Sequence, residues 1–138
     1  MKKIYLALFS LLLLFTACKK DKPDDAFAKL LSRKTWELYD YQYRTYVNPS
    51  LLEGYFNFSA NGQVEYTDKS GHVYKGSWEH AYHNDTQKHS LYIDVTDPIT
   101  QDRKSEFYNH IEFYDDRHFK AYVYVGFNEN VFWYQQKW

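Results

Sequence analysis

The chain has 138 residues, one domain's worth, and sets 17 Lys and Arg against 18 Asp and Glu for a net charge of −1. That balance lacks the clustered basic excess nucleic-acid binding needs, so nucleic acid is set aside as a partner. A single cysteine rules out an internal disulfide, and stability has to come from burial, which at this size covers roughly 60–70% of the unfolded surface. Aromatic residues make up 21% of the chain, 15 of them Tyr, and such enrichment favours strands.

In chain order, Met1-Lys2-Lys3 precedes an apolar run from Ile4 to Phe15 and then Thr16-Ala17-Cys18. A positive start, a short apolar stretch and a small-residue site read as a secretory signal, removed from the working protein. The run is shorter than the roughly 20 apolar residues of a membrane-spanning helix. Without residues 1–17, Lys2 and Lys3 are lost, 15 basic residues face 18 acidic ones, and the net charge becomes −3.

A lone cysteine is unusual in an exported protein. Leu14-Phe15-Thr16-Ala17-Cys18 resembles the lipobox read by lipoprotein signal peptidase, with phenylalanine where leucine is usual. The resemblance implies a diacylglyceryl group on the Cys18 sulfur, cleavage before Cys18 and acylation of the new amino group. Two or more acyl chains anchor stably, where one binds only marginally. An ordinary secretory signal with an incidental cysteine is the alternative. Lys19 follows Cys18 where aspartate would favour retention at the inner membrane, so the same resemblance implies an outer-membrane destination, facing the periplasm or the outside.

Residues 18–25 are charged, contain Pro23 and read as a tether. Asp24 or Asp25 then caps a short helix, Ala26 to Arg33, with Phe27, Leu30 and Leu31 on one face, suited to covering an open end of a β structure. From Thr35 the chain breaks into about eight strand-like runs: Thr35–Tyr46, Gly54–Phe58, Gln63–Thr67, His72–Tyr82, His89–Val95, Lys104–Tyr114, His118–Val125 and Val131–Lys137. Asn61-Gly62, Lys69-Ser70-Gly71, Asp97-Pro98, Asp115-Asp116 and Asn128-Glu129-Asn130 supply the turn chemistry between runs.

Period-two alternation assigns an inner face. It takes in Trp36 and Leu38; Phe56 and Phe58; Val64 and Tyr66; Tyr74, Gly76 and Trp78; Leu91, Ile93 and Val95; Phe107, Asn109, Ile111 and Phe113; Phe119, Ala121, Val123 and Val125; and Val131 and Trp133. The other face carries Glu65, Lys75, Asp94, Glu112 and Lys120, with many tyrosines. One apolar and one wet side is the pattern of an antiparallel sheet, and closure into a barrel removes its edges. The expectation is an all-β, antiparallel up-and-down barrel over residues 26–138.

Several phrases resemble the lipocalin-like lipoproteins common in the Bacteroidota. They are Leu30 to Leu38 with its W-x-L, Phe56-Asn57-Phe58-Ser59-Ala60-Asn61-Gly62, Lys75-Gly76-Ser77-Trp78, and the closing Trp133-Tyr134-Gln135-Gln136-Lys137. The resemblance implies an eight-stranded barrel on an anchored tether, and it supplies no shared ligand motif.

The candidate ligand-binding residues are those inside the barrel: Trp36, Phe56, Phe58, Tyr74, Trp78 and Trp133. Eight strands leave room either for a small ligand or for the side chains alone, so the same residues also fit a filled core. Tyr39, Tyr41, Tyr43, Tyr92, Tyr108, Tyr114, Tyr122 and Tyr124 fall on outward faces. They fit either an interaction surface or ordinary cross-strand pairing. His80, His83 and His89, with Asp85, read as solvated loop histidines, since a metal needs three or four converging ligands. Asp115-Asp116 and Asp24-Asp25 suit turns, and no nucleophile or phosphate-loop motif is present. The expected protein is non-enzymatic, has no cofactor and is held to the membrane through Cys18. It binds a small apolar molecule in its barrel, or an envelope protein through its tyrosine face.

Overall fold

The computed structural model describes residues 23–45, 51 and 53–138; Cys18 and the signal segment lie outside them, as does Tyr46. Helix α1 (Pro23–Leu31) leads into strands β1 (Thr35–Gln42), β2 (Gly54–Phe58), β3 (Gln63–Asp68), β4 (Val73–His83), β5 (Lys88–Thr96), β6 (Arg103–Phe113), β7 (His118–Val125) and β8 (Asn128–Gln136). Every sequential pair is antiparallel, and β8 returns to β1, so the sheet closes as an eight-stranded barrel. Closure leaves no edge strand at either side of the sheet.

The turns form where short polar side chains hold the backbone. Asp68 Oδ1 accepts from the Ser70 and His72 amides at 2.8 and 2.9 Å. Asp97 Oδ1 accepts from Ile99 and Thr100 at 2.7 and 3.1 Å, and these bonds hold its carboxyl below the usual range. Gly76 serves a different need. A Cβ there would lie 1.9 Å from the Asp94 carbonyl, so β4 and β5 approach closely only because that position is bare.

The helix end of the barrel is plugged. Phe27 and Leu31 of α1 are buried in the barrel's own core, whereas Leu30, expected on the same face, is exposed. Phe27 stacks on His80 and His89, with ring centroids 4.9 and 4.3 Å away. These two histidines are therefore strand residues of β4 and β5 under the helix, and the solvated-loop expectation fails for them. Trp36 Nε1 donates to the Leu31 carbonyl at 2.8 Å, tying the helix's last turn to β1.

Two β-bulges change the expected inner face. On β6, His89 pairs with Ile111 but Leu91 pairs with Tyr108, so one extra residue stands on β6 between them. Tyr108 and Ile111 are consequently both buried, and Phe107, expected inside, is 48% exposed beside Tyr92 on the outer wall. On β1, Leu38 pairs with Tyr134 and Asp40 with Trp133, leaving Tyr39 as the extra residue. On β8 the inward residues are Phe132 and Tyr134, and Trp133 points outward. Val131-Phe132-Trp133-Tyr134 is apolar throughout, so alternation gives no phase there. Pairing with Ala121 and Phe119 of β7 decides it. Val125, also expected inside, is exposed at the far end of β7.

Candidate functional site

Five of the six residues expected to line a lumen do face inward, and each packs against another core ring. Trp36 lies 4.8 Å, ring to ring, from Phe119. Phe56 meets Phe58 at 5.5 Å and Tyr66 at 4.9 Å, and Tyr66 meets Tyr74 at 5.8 Å. Phe58 meets Trp78 at 5.7 Å, and Trp78 Nε1 donates to the Ser59 carbonyl at 2.9 Å. All five are at most 5% exposed. Such edge and offset contacts between rings are the usual packing of an aromatic core. The sixth, Trp133, stands half-buried on the outer wall, opposite Asp40 on one side and Lys120 on the other.

Sequence reasoning missed a polar layer across the interior. The hydroxyls of Tyr108 and Tyr134 lie 2.6 Å apart in the buried core. Burial pushes both hydroxyls well above the ordinary tyrosine range, because a phenolate there would lose its hydration. Tyr66 is pushed up by burial too, and then by the nearby Asp68 carboxylate. Asn130, fully buried, accepts from the Arg44 and Thr45 amides at 2.9 and 3.2 Å and donates to the Val123 carbonyl at 3.2 Å. It thereby ties the chain leaving β1 to the β7–β8 side of the barrel. Leu51, before β2, is buried in the same core.

Most tyrosines expected outside are outside, but several are held in place. Tyr39 and Tyr114 share a hydroxyl contact at 2.8 Å, and His118 stacks on Tyr114 at 5.5 Å. Tyr122 donates to Glu112 at 2.8 Å and stacks with His110 at 5.2 Å. Lys120 Nζ lies 5.6 Å from the centre of the Tyr114 ring. Together with Trp133 these rings cover the wall formed by β6, β7, β8 and β1. Tyr108 is the exception, drawn inside by the bulge.

The paired carboxylates do not converge. Asp115 Oδ1 accepts from the Arg117 amide at 2.7 Å, its carboxylate holds His118 Nδ1 at 2.8 Å, and both interactions keep its pKa low. Asp116 instead pairs with Lys34. His83 lies on the strand end, bonded to Ser90 at 3.0 Å. Among the described residues no three His, Cys, Asp or Glu side chains are grouped as a metal ion would require.

The barrel is not laddered evenly. β1 pairs with β2 through only Thr35, Trp36 and Glu37, while its pairing with β8 runs up to Gln42. Among the described residues the β1–β2 ladder ends at Glu37, and a cleft of about 460 Å³ lies beside it. Tyr41 and Tyr55 stand along it with Glu37, Glu53, Lys69 and Lys137. At its floor, a Cβ on Gly54 would meet the Thr67 carbonyl at 2.3 Å, so the backbones are already in contact there. No family model, curated protein or solved structure matches this chain.

Proposed function

We propose that this protein is a non-enzymatic, lipid-anchored envelope lipoprotein whose lipocalin-like barrel is a scaffold for protein recognition by its outer wall. The observation that carries the reading is the contrast between its two faces. The inward rings are occupied with one another, and the outer wall presents Trp133 and several exposed tyrosines. Tyrosine and tryptophan on a protein's surface suit recognition, because a large apolar ring and a polar tip can both be used at small entropic cost. A small apolar ligand in the interior would compete with side chains that already pack against one another. The lipid anchor rests on the lipobox-like run ending at Cys18, and the outer-membrane location on Lys19.

Two measurements on protein extracted from its own membranes test this. Native mass spectrometry is expected to give the mass of residues 18–138 plus acyl chains, with no retained small molecule. A photo-crosslinking residue at Tyr39 is expected to give a discrete protein adduct in cells, and one at the buried Leu91 none. An apolar molecule retained in the native spectrum, with no adduct from Tyr39, would overturn the reading in favour of a lumen ligand.

A further inference from the structure

We propose that the helix end of the barrel docks on an anionic phospholipid surface, with Trp138 and Leu30 at the headgroup boundary and basic side chains beside them. This rests on the reading of the chain as lipid-anchored at Cys18, and it names the face that meets the lipid and the headgroup charge it selects.

Three segments of chain meet at this end. The Lys137 amide donates to the Thr35 carbonyl and the Gln136 amide to the Arg117 carbonyl, both at 2.8 Å. The turn after α1, the β6–β7 turn and the residues after β8 therefore form one surface. Arg33, Arg117, Lys137 and Trp138 are exposed on it, Trp138 at 90%. The Arg117 guanidinium lies 5.0 Å from the centre of the Trp138 ring. A tryptophan with a cation beside it suits the headgroup boundary, where the ring meets the upper acyl carbons and the charge stays in water. Leu30 of α1, three residues before Arg33, adds exposed apolar surface. The carboxylates here are engaged: Asp116 with Lys34, Asp115 with His118, and Glu37 with Lys137. Arg33 and Arg117 stand beyond these pairs as basic charge.

The backbone of Arg33 is a separate observation. It is left-handed (φ 79°), just past the end of α1, in the place where helices commonly set a glycine. That conformation is strained for any L side chain and unstrained for glycine. An arginine held there against local preference is consistent with a side chain that is used.

The tether decides which end meets the lipid. Cys18 to Pro23 is five residue steps, at most about 17 Å when fully extended. A nine-residue strand such as β5, tilted by about 40° as barrel strands are, stands roughly 23 Å tall. Ile99 and Phe127 are also exposed, but they belong to the β5–β6 and β7–β8 connections at the opposite end, out of that reach. The tether carries Lys19, Lys20 and Lys22 against Asp21, Asp24 and Asp25, so it brings no net charge of its own. Selection of an anionic surface therefore falls to the barrel end, and a basic patch beside acyl chains strengthens the hold of both.

The test uses the acylated protein reconstituted in vesicles of phosphatidylcholine alone or with about one third phosphatidylglycerol. Both carry lipid brominated on its upper acyl carbons, which quenches nearby tryptophan. Trp36 and Trp78 are buried, so quenching reads Trp133 and Trp138. Quenching is expected to be at least about threefold stronger in the anionic vesicles, lost in Trp138→Phe and kept in Trp133→Phe. Arg33→Gly should lower the ratio of docked to undocked protein about fivefold, the effect of one charge at such a surface, with no loss of stability in urea. Misfolding cannot produce that pair of results. Quenching that survives Trp138→Phe, or equal quenching in neutral vesicles, overturns the docking face. No quenching on protein that mass spectrometry shows to be acylated overturns it too and leaves the anchor standing. An unmodified Cys18 brings down the anchored reading and the docking face together.

Discussion

The two ends of this barrel are built differently. At the helix end, neighbouring strands are laddered together, Phe27 plugs the opening, and Trp36 reaches the last turn of α1. At the other end, β1 and β2 share only three register pairs among the described residues and β6 and β7 only four. Tyr108, Tyr134 and Asn130 hold that end together with hydrogen bonds.

The largest expected effect comes from attacking the helix end. Trp36→Ala removes a fully buried ring and its bond to Leu31, and is expected to lower unfolding free energy by about 3–5 kcal/mol in urea titrations. A loss under 1 kcal/mol would mean the helix end is not the stabilising half.

Asn130→Ala tests the other end. It should cost about 1–3 kcal/mol, because the Arg44 and Thr45 amides lose their acceptor. Hydrogen exchange should rise locally at residues 44 and 45 while the amides of β3–β5 keep their protection. Equal acceleration everywhere would show that the two halves unfold as one unit.

Tyr108→Phe is smaller, about 1 kcal/mol at neutral pH, since it leaves the Tyr134 hydroxyl without this partner. It also carries a pH signature. Both hydroxyls have folded-state values above the ordinary 10, so their contribution is complete below pH 10. As the pH climbs past 10 the unfolded chain gives up these protons and the folded one keeps them. Stability then falls by about 1.4 kcal/mol per pH unit for each tyrosine held neutral. Denaturation series between pH 9 and 11 should show a shallower fall in Tyr108→Phe than in the parent. Identical slopes would remove the buried pair as its source.

Tyr41→Ala should be the mildest, within about 0.5 kcal/mol of the parent, because the ring is exposed at the lip of the cleft. A much larger loss would mean that the ring belongs to the core.

Much of this architecture was legible in the residues, and the failures have identifiable causes. Strands such as Val64-Glu65-Tyr66 and Leu91-Tyr92-Ile93 alternate cleanly, and their phase is as expected. Val131 to Tyr134 is apolar at every position, so no periodicity could say that Trp133 faces out. The bulges at Tyr39 and beside Ser90 reverse the phase within a strand, and no local signal in either strand announces them. His80 and His89 were misplaced because a histidine in a polar stretch looks solvated until a helix packs over it. The cleft could not be foreseen either, since it depends on how far two strands stay paired.

What the order of residues determined alone was local: where strands run, where Asp and Gly turn the chain, and that one face would be rich in rings. Those properties follow from side-chain period and backbone preference within a few residues. Tertiary structure decided which of two apolar phases faces inward, which tyrosines meet, and where the bulges fall. Each depends on pairing between strands far apart in the chain, where one extra residue in one strand inverts everything beyond it.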